Sequence, residues 1–388
     1  MSTTPGFDDL VPSPRILLGP GPSMADPRVL RAMATPLLGQ FDPEFSAIMN
    51  EIMTLSRLVF QTESERAFPV SGTGRAGLEA ALVSLLEPGD RVVIGECGRF
   101  GLLLEEIARR CDADVCVVHA EWGRSLDPAD IETALRQAPT KVVSVVHGET
   151  STGVLQPLAD LGRLARAHDA LLVADVVVTL GGCEVALDAW QVDVGIGGTQ
   201  KCLSCPSGLA PIAYNQRAAD VVRRRRTPVR SNYLDLGQLE TYWGPGRFNH
   251  HTAPTAMVYG LREALRAGIA ALGLTLFGKE PPAHRLPMVT PVLVPDGVDD
   301  LRVRRALLDD FGIEIGAAFG PLQGRIWRIG TMGYSARRQN VLLLLSTLEH
   351  VLRHEGWLVE PGAGVDAALA YYGATGTDDR STLGRRAL

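Results

Sequence analysis

Between residues 90 and 198 the chain alternates short, nearly continuous apolar runs with stretches of helical periodicity. DRVVIGE (90–96) reads as a strand after the turn Pro88-Gly89, and a helix is expected over 101–110 (GLLLEEIARR). A strand at 114–118 (DVCVV), a helix at 128–137 behind the N-cap Asp127 and a strand at 141–147 (KVVSVVH) follow. A helix over 158–168 leads to the strand ALLVAD (170–175), and VDVGIGG (192–198) is another buried run. Strands apolar along their whole length must be covered on both faces, and the helices between them supply the cover. The expected fold class is α/β, with a mostly parallel sheet clothed in helices. Beyond about residue 267 the pattern changes. PMVTPVLVP, a helix near 299–311, RIWRIG and a helix near 338–353 predict a smaller α+β unit. The expected division is an N-terminal segment (1–23), a large domain (24–266), a small C-terminal domain (267–360) and a loosely held tail (361–388) rich in Gly, Ala and Thr.

The net charge of −6 gives no reason to expect a nucleic-acid partner. The basic run from Arg223 to Arg226 is read as the solvated end of a helix that starts near Arg217. No apolar run is long enough to span a bilayer, and the acidic start MSTTPGFDDL lacks the order of a signal peptide. Cys97, Cys111, Cys116, Cys183, Cys202 and Cys205 lack the spacing of a disulfide framework, so a reducing cytoplasm is expected. Cys202 and Cys205 form a CxxC with no second pair or nearby His to complete a metal site, which leaves a redox role open.

The chain has 35 arginines and three lysines, Lys141, Lys201 and Lys279. Where any cation serves, it uses Arg. A retained lysine points to chemistry that a guanidinium, never deprotonated in proteins, cannot do. Lys201 follows a buried strand in GGTQKCLSCPSG, where partial desolvation and a nearby cation favour the neutral, nucleophilic amine. Lys141 precedes its strand and Lys279 lies in a Pro-rich stretch. SGTGRAGLEAALVSLL (71–86) is a Gly-containing turn entering a helix, whose free amides suit a phosphate or are ordinary caps. Asp175 ends the strand ALLVAD, where α/β sheets place ligands; it is either the partner of a cation or a capping residue. The order turn, Asp, Lys, each after a strand, is more specific than any single piece.

With these residues the chain resembles the class V aminotransferases, fold-type-I enzymes dependent on pyridoxal 5'-phosphate (PLP), from LLGPGPS (17–23) to RIGTMGY (328–334). HGETSTGVLQPL, ADVVVTLGG, GGTQK and HHT look like the alanine–glyoxylate and serine–pyruvate branch. GQFDPEF, QKCLSCPSG, SNYLDL, YWGPGRFNHHT and FGIEIGAAFGPLQGRIWRIGTMGY look more like the (S)-ureidoglycine–glyoxylate aminotransferases of purine breakdown. The resemblance implies a catalytic Schiff base at Lys201 and a pyridinium partner at Asp175. It implies Phe100 and Val177 on the two ring faces, and Thr73, Gly74, Arg75 and Gln200 around the phosphate. It further implies Ser151 on the ring oxygen, Arg328 on the substrate carboxylate, and Thr252 on the phosphate of a partner subunit's cofactor in a homodimer. Gln40 and Asn249 are the expected readers of a ureido group, which needs a donor and an acceptor at once. Alanine-type relatives usually carry Tyr at the position of Asn249.

The expected reaction is ping-pong transfer of an amino group from (S)-ureidoglycine to glyoxylate, giving oxalurate and glycine. An alanine– or serine–glyoxylate aminotransferase, a desulfurase-type lyase and a non-catalytic PLP-binding protein are the rivals. Two features depart from the family. ADVVVTLGG has valines where relatives usually have smaller residues, and LREALRAGIAALG (261–273) joins segments that relatives separate by several more helical turns.

Overall fold

A computed structural model describes residues 10–271, 286–357, 359 and 361–374. Strand β1 (Ile16–Leu17) is followed by α1 (Pro27–Met33) and α2 (Pro43–Phe60). Asp42 starts α2 by accepting the Glu44 amide, Pro43 fits the first turn, and Gln61 ends it in the left-handed region. Then come β2 (Ala67–Ser71), α3 (Gly74–Leu85), β3 (Arg91–Glu96), α4 (Arg99–Arg110), β4 (Asp114–His119) and α5 (Pro128–Gln137). The chain continues through β5 (Val142–Val146), β6 (Gly148–Glu149), β7 (Val154–Leu155), α6 (Ala159–Ala167), β8 (Leu171–Asp175), β9 (Val194–Ile196) and β10 (Leu209–Tyr214). Helices α7 (Gln216–Arg223), α8 (Leu236–Trp243) and α9 (Thr255–Ala271) complete this part.

Seven of these strands form one sheet in the order β2-β10-β9-β8-β5-β3-β4. Only β10 runs antiparallel to its neighbours. The mostly parallel sheet expected from the apolar runs is therefore present. Strands β5, β8, β9 and β10 are buried at every position. As expected, Asp127 caps α5 by accepting the Ala129 amide.

A second core, built on Leu18, Val303, Leu307, Ile313, Trp327, Ile329, Leu344 and Val351, belongs to the C-terminal elements. These are β11 (Val289–Leu293), α10 (Asp300–Phe311), β12 (Ile313–Glu314), β13 (Gly316–Ala317), β14 (Ile326–Gly330), α11 (Arg338–His354) and α12 (Ala363–Ala374). Strands β11, β14 and β13 form a sheet, while β1 pairs in parallel with β12. The N-terminal segment is thus stitched to the C-terminal elements, and Gly330 donates to the Leu18 carbonyl at 2.6 Å.

Four details differ from expectation. The tail is not loose over 363–374, where α12 packs on α11 and the Gly362 amide donates to Glu349. The α4 helix begins at Arg99, two residues early. Arg225 is more than a solvated charge, because it donates to the carbonyls of Ser84 and Leu86 at 3.0 and 2.7 Å. The two CxxC thiols do not meet: Cys202 packs with Val178, Met288 and Met332, and Cys205 with Val29 and Ala264. Helix α9 runs through 266–267, where the sequence pattern changes. Lys279 and the last two residues of 261–273 lie outside the described residues.

Candidate active site

The chemistry gathers at the carboxyl ends of the parallel strands, where backbone groups past the last ladder bond face open space. Asp175 ends β8, and its Oδ1 accepts the Val177 amide at 2.9 Å. Five residues past β9 stands Lys201, in a loop pinned by Thr199, whose hydroxyl donates to the Pro206 carbonyl at 2.7 Å. Ser23 clamps the same loop from the N-terminal segment, donating its amide to the Gln200 carbonyl at 2.8 Å and its hydroxyl to the Lys201 carbonyl at 2.6 Å. Lys201 Nζ donates to the Pro20 carbonyl at 2.5 Å. Gly21 must be glycine here: its φ is +121°, and a β-carbon would lie 2.2 Å from Lys201 Nζ.

A cavity of about 170 Å³ joins Lys201 and Asp175 to the start of α3 at Thr73, Gly74 and Arg75. Phe100 from α4, together with Val177 and Gln200, completes the set that the structure brings together. Thr73 makes no side-chain cap bond, and Gln200 Oε1 is buried without a hydrogen-bond partner. Val177 leaves no room for a side chain opposite it, since a β-carbon at Gly74 would sit 2.8 Å from its Cγ2.

Five expected site residues lie outside this lining. Arg328 is behind its wall, 5% exposed, donating to the Ala317 carbonyl at 2.6 Å and to the Thr150 carbonyl at 3.2 Å. The Phe319 ring covers its guanidinium, 4.5 Å from centroid to Cζ. Arg328, Pro20 and Gly21 also line a neighbouring cavity of about 430 Å³. The Ser151 hydroxyl donates to Glu149 Oε1 at 2.6 Å and accepts the Arg99 amide at 2.9 Å. Its only proton goes to Glu149, and the neighbouring Thr150 lines the cavity instead. Thr252 is exposed. Gln40 and Asn249, 209 positions apart, meet through a 3.1 Å bond from Gln40 Nε2 to Asn249 Oδ1. Glu149 and Thr150 were missed as functional candidates, although the run HGETSTG that contains them was in view.

Burial dominates the titration of both central groups. It pushes the Asp175 carboxyl up from 3.8 to about 7, with the Val177 amide only partly opposing. It pulls the Lys201 ammonium down from 10.5 to about 8, and the Arg328 charge acts in the same direction. The stability linked to protonated Asp175 is complete below pH 3.8 and is lost as pH rises through about 7. The Lys201 penalty is complete below about pH 8 and is relieved as pH rises toward 10.5. Both penalties are therefore in force together between about pH 7 and 8.

Residues 16–278 match the family described as aminotransferase class-V. The chain belongs to the class V aminotransferases. It is similar to the (S)-ureidoglycine–glyoxylate transaminase of Bacillus subtilis, with 48% identity over 398 aligned positions covering 92% of this chain and 95% of that one. That alignment is longer than the 388-residue chain, so it opens gaps in this chain opposite that relative. The crystal structure of the Bacillus subtilis ureidoglycine–glyoxylate aminotransferase superimposes with a TM-score of 0.90, at 49% identity, covering 94% of this chain and all of that one. The alanine–glyoxylate aminotransferase of Drosophila melanogaster is 37% identical over 88% of this chain and 93% of its own. The family uses PLP, and the residues present suit it. An uncapped helix start lines the same cavity as an amine and a carboxylate that forms no ion pair among the described residues. Among those residues no cluster could hold a metal ion, and no helix is long and apolar enough to cross a membrane.

Proposed function

We propose that this aminotransferase moves the amino group of (S)-ureidoglycine to glyoxylate, yielding oxalurate and glycine. One observation carries the choice of donor. Gln40 and Asn249 form an amide pair, and Gln40 Oε1 is buried with no hydrogen-bond partner. A ureido group can satisfy such a pair, since it offers both N–H donors and a carbonyl acceptor, whereas a methyl group offers neither. The 48% identical relative named for this reaction supports the same reading.

Bound PLP supplies a carbonyl carbon for the amino group and a ring that takes up the electrons of the broken Cα–H bond. The chain's residues do the rest. The α3 amides with Thr73, Gly74, Arg75 and Gln200 hold the phosphate, where the helix dipole favours negative charge. Asp175 would keep the ring nitrogen protonated, and Phe100 and Val177 would confine the ring. Lys201 would take the proton from the donor's α-carbon, a task suited to an amine with a pKa of about 8. Arg328 exchanges its two carbonyl partners for the substrate carboxylate, a two-pronged contact. Ser151 steadies the cavity wall rather than the ring.

The proposed assembly is a cytoplasmic homodimer. All six cysteines are free, as in a reducing compartment. Gln40, Asn249 and Thr252 do not line their own chain's cavity, so they are assigned to a partner's. Asn249→Tyr is then expected to lower kcat/KM for ureidoglycine about tenfold to a hundredfold, from roughly 1–3 kcal/mol of unpaired buried polar group, and to spare alanine. Hybrid dimers of Asn249→Tyr and Lys201→Arg chains should regain activity, since one cavity then has both wild-type residues. A donor comparison with freshly made ureidoglycine, alanine and serine against glyoxylate tests the assignment. Preference of the wild-type enzyme for alanine would overturn it, and an active monomer in light scattering would overturn the assembly.

A further inference from the structure

Helix α4 delivers Phe100 to the cavity, yet it has no cap of its own. Its N-cap is Gly98, which has no side chain, so the first amides must find acceptors elsewhere. They find them in β6 and the turn after it. Ser151 Oγ accepts the Arg99 amide at 2.9 Å, and Glu149 Oε2 accepts the Phe100 amide at 2.9 Å. Glu149 also receives the Gly101 amide. Its other oxygen, Oε1, takes the Ser151 amide at 3.0 Å and the Ser151 hydroxyl at 2.6 Å. The side chain is completely buried. The fit is close, because a β-carbon on Gly98 would fall 2.4 Å from Glu149 Cγ and 2.6 Å from Ser151 Oγ.

The same three residues reach the other side of the site. Thr150, between Glu149 and Ser151, lines the cavity, and its carbonyl accepts Arg328 Nη1 at 3.2 Å. One buried carboxylate therefore ties together the backbone that presents Phe100 and the backbone that holds Arg328. The charge of Glu149 also favours the ionised form of Arg328 and opposes that of Asp175, so its influence extends to both charged partners of the reaction.

We propose that Glu149 is a positioning residue that sets the place of the Phe100 ring, and through it the grip on the cofactor. The proposal rests on the reading of the cavity as the PLP site. A carboxylate suits this place because it only accepts, at two oxygens, and every neighbour here donates. Glutamine would turn an NH₂ group toward one pair of those donors.

The test is a double-mutant cycle read by cofactor affinity. Apoprotein is titrated with PLP and followed by visible absorbance for wild type, Glu149→Gln, Phe100→Ala and the double variant. Glu149→Gln is expected to weaken PLP binding about tenfold to a hundredfold, the cost of a spoiled buried hydrogen-bond set. In the Phe100→Ala background the same change is expected to cost less than about threefold, because the ring it positions is gone. Equal losses in both backgrounds, or normal PLP binding with only a lower melting temperature, would overturn the proposal and leave Glu149 as a structural cap. If Glu149→Gln does not fold, Ser151→Ala takes its place in the cycle and is read against the same two outcomes. Failure of the wild-type apoprotein to bind PLP would instead defeat the site reading itself.

Discussion

Lys201→Arg is expected to fold, keep its positive charge and lose turnover by at least about a thousandfold. General acid–base catalysis alone contributes roughly 10²–10⁴-fold, and this substitution removes the nucleophile as well. The loss follows from the guanidinium, which cannot give up its proton, whereas the lysine, with a pKa of about 8, can do so near neutral pH. Steady-state transamination assays with glyoxylate measure it. Lys141 is the control: its ammonium is held by Asp90 at 2.6 Å, so Lys141→Arg should leave turnover near the wild-type value. Comparable losses in the two variants would contradict the role assigned to Lys201.

Asp175→Asn is expected to separate activity from stability. Removing the charge that holds the ring nitrogen protonated should cost about 10²–10³ in kcat, the scale of losing one preorganised electrostatic contact. The cofactor-free protein should become more stable at pH 8, because a buried carboxylate whose pKa is raised to about 7 is ionised there at a cost that asparagine avoids. At pH 3.8 and below, the wild-type carboxyl is already neutral and the stability advantage should vanish. With PLP bound, Asp175 would gain a cationic partner and Lys201 would no longer be a buried free ammonium, so the stabilisation of the wild-type fold should peak between about pH 7 and 8. Melting temperatures of the apo and loaded forms across pH check both statements. An Asp175→Asn apoprotein less stable than wild type at pH 8 would contradict the assigned cause.

The strands and their ends were legible because a parallel sheet buried on both faces imposes unbroken apolar runs, as in ALLVAD and VDVGIGG. Once those runs were placed, Asp175 and Lys201 had to emerge at the same edge. The start of α4 was not legible, since its amides are satisfied by Glu149 and Ser151 from a segment about fifty residues away. For the same reason the sequence could not separate Thr150 from Ser151: Thr150 lines the cavity, while the Ser151 hydroxyl is taken up by Glu149. The CxxC misled in a different way. Thiols three positions apart in sequence lie in two separate apolar clusters, and burial pushes both up to about 12. Gln40 and Asn249 were singled out for the chemistry of a ureido group, but their contact with each other was not legible, as no periodicity links positions so far apart. Helix α12 carries too weak an apolar stripe among its alanines and glycines to be separated from a loose tail.

The central claim is that Lys201 carries the cofactor, and chemical trapping tests it most directly. Protein loaded with PLP is reduced with borohydride, digested and mapped by mass spectrometry. The expected result is one cofactor label per chain, on the peptide containing Lys201, with loss of visible absorbance and of activity. A label on Lys141 or Lys279, or none on a protein that still transaminates, would contradict it.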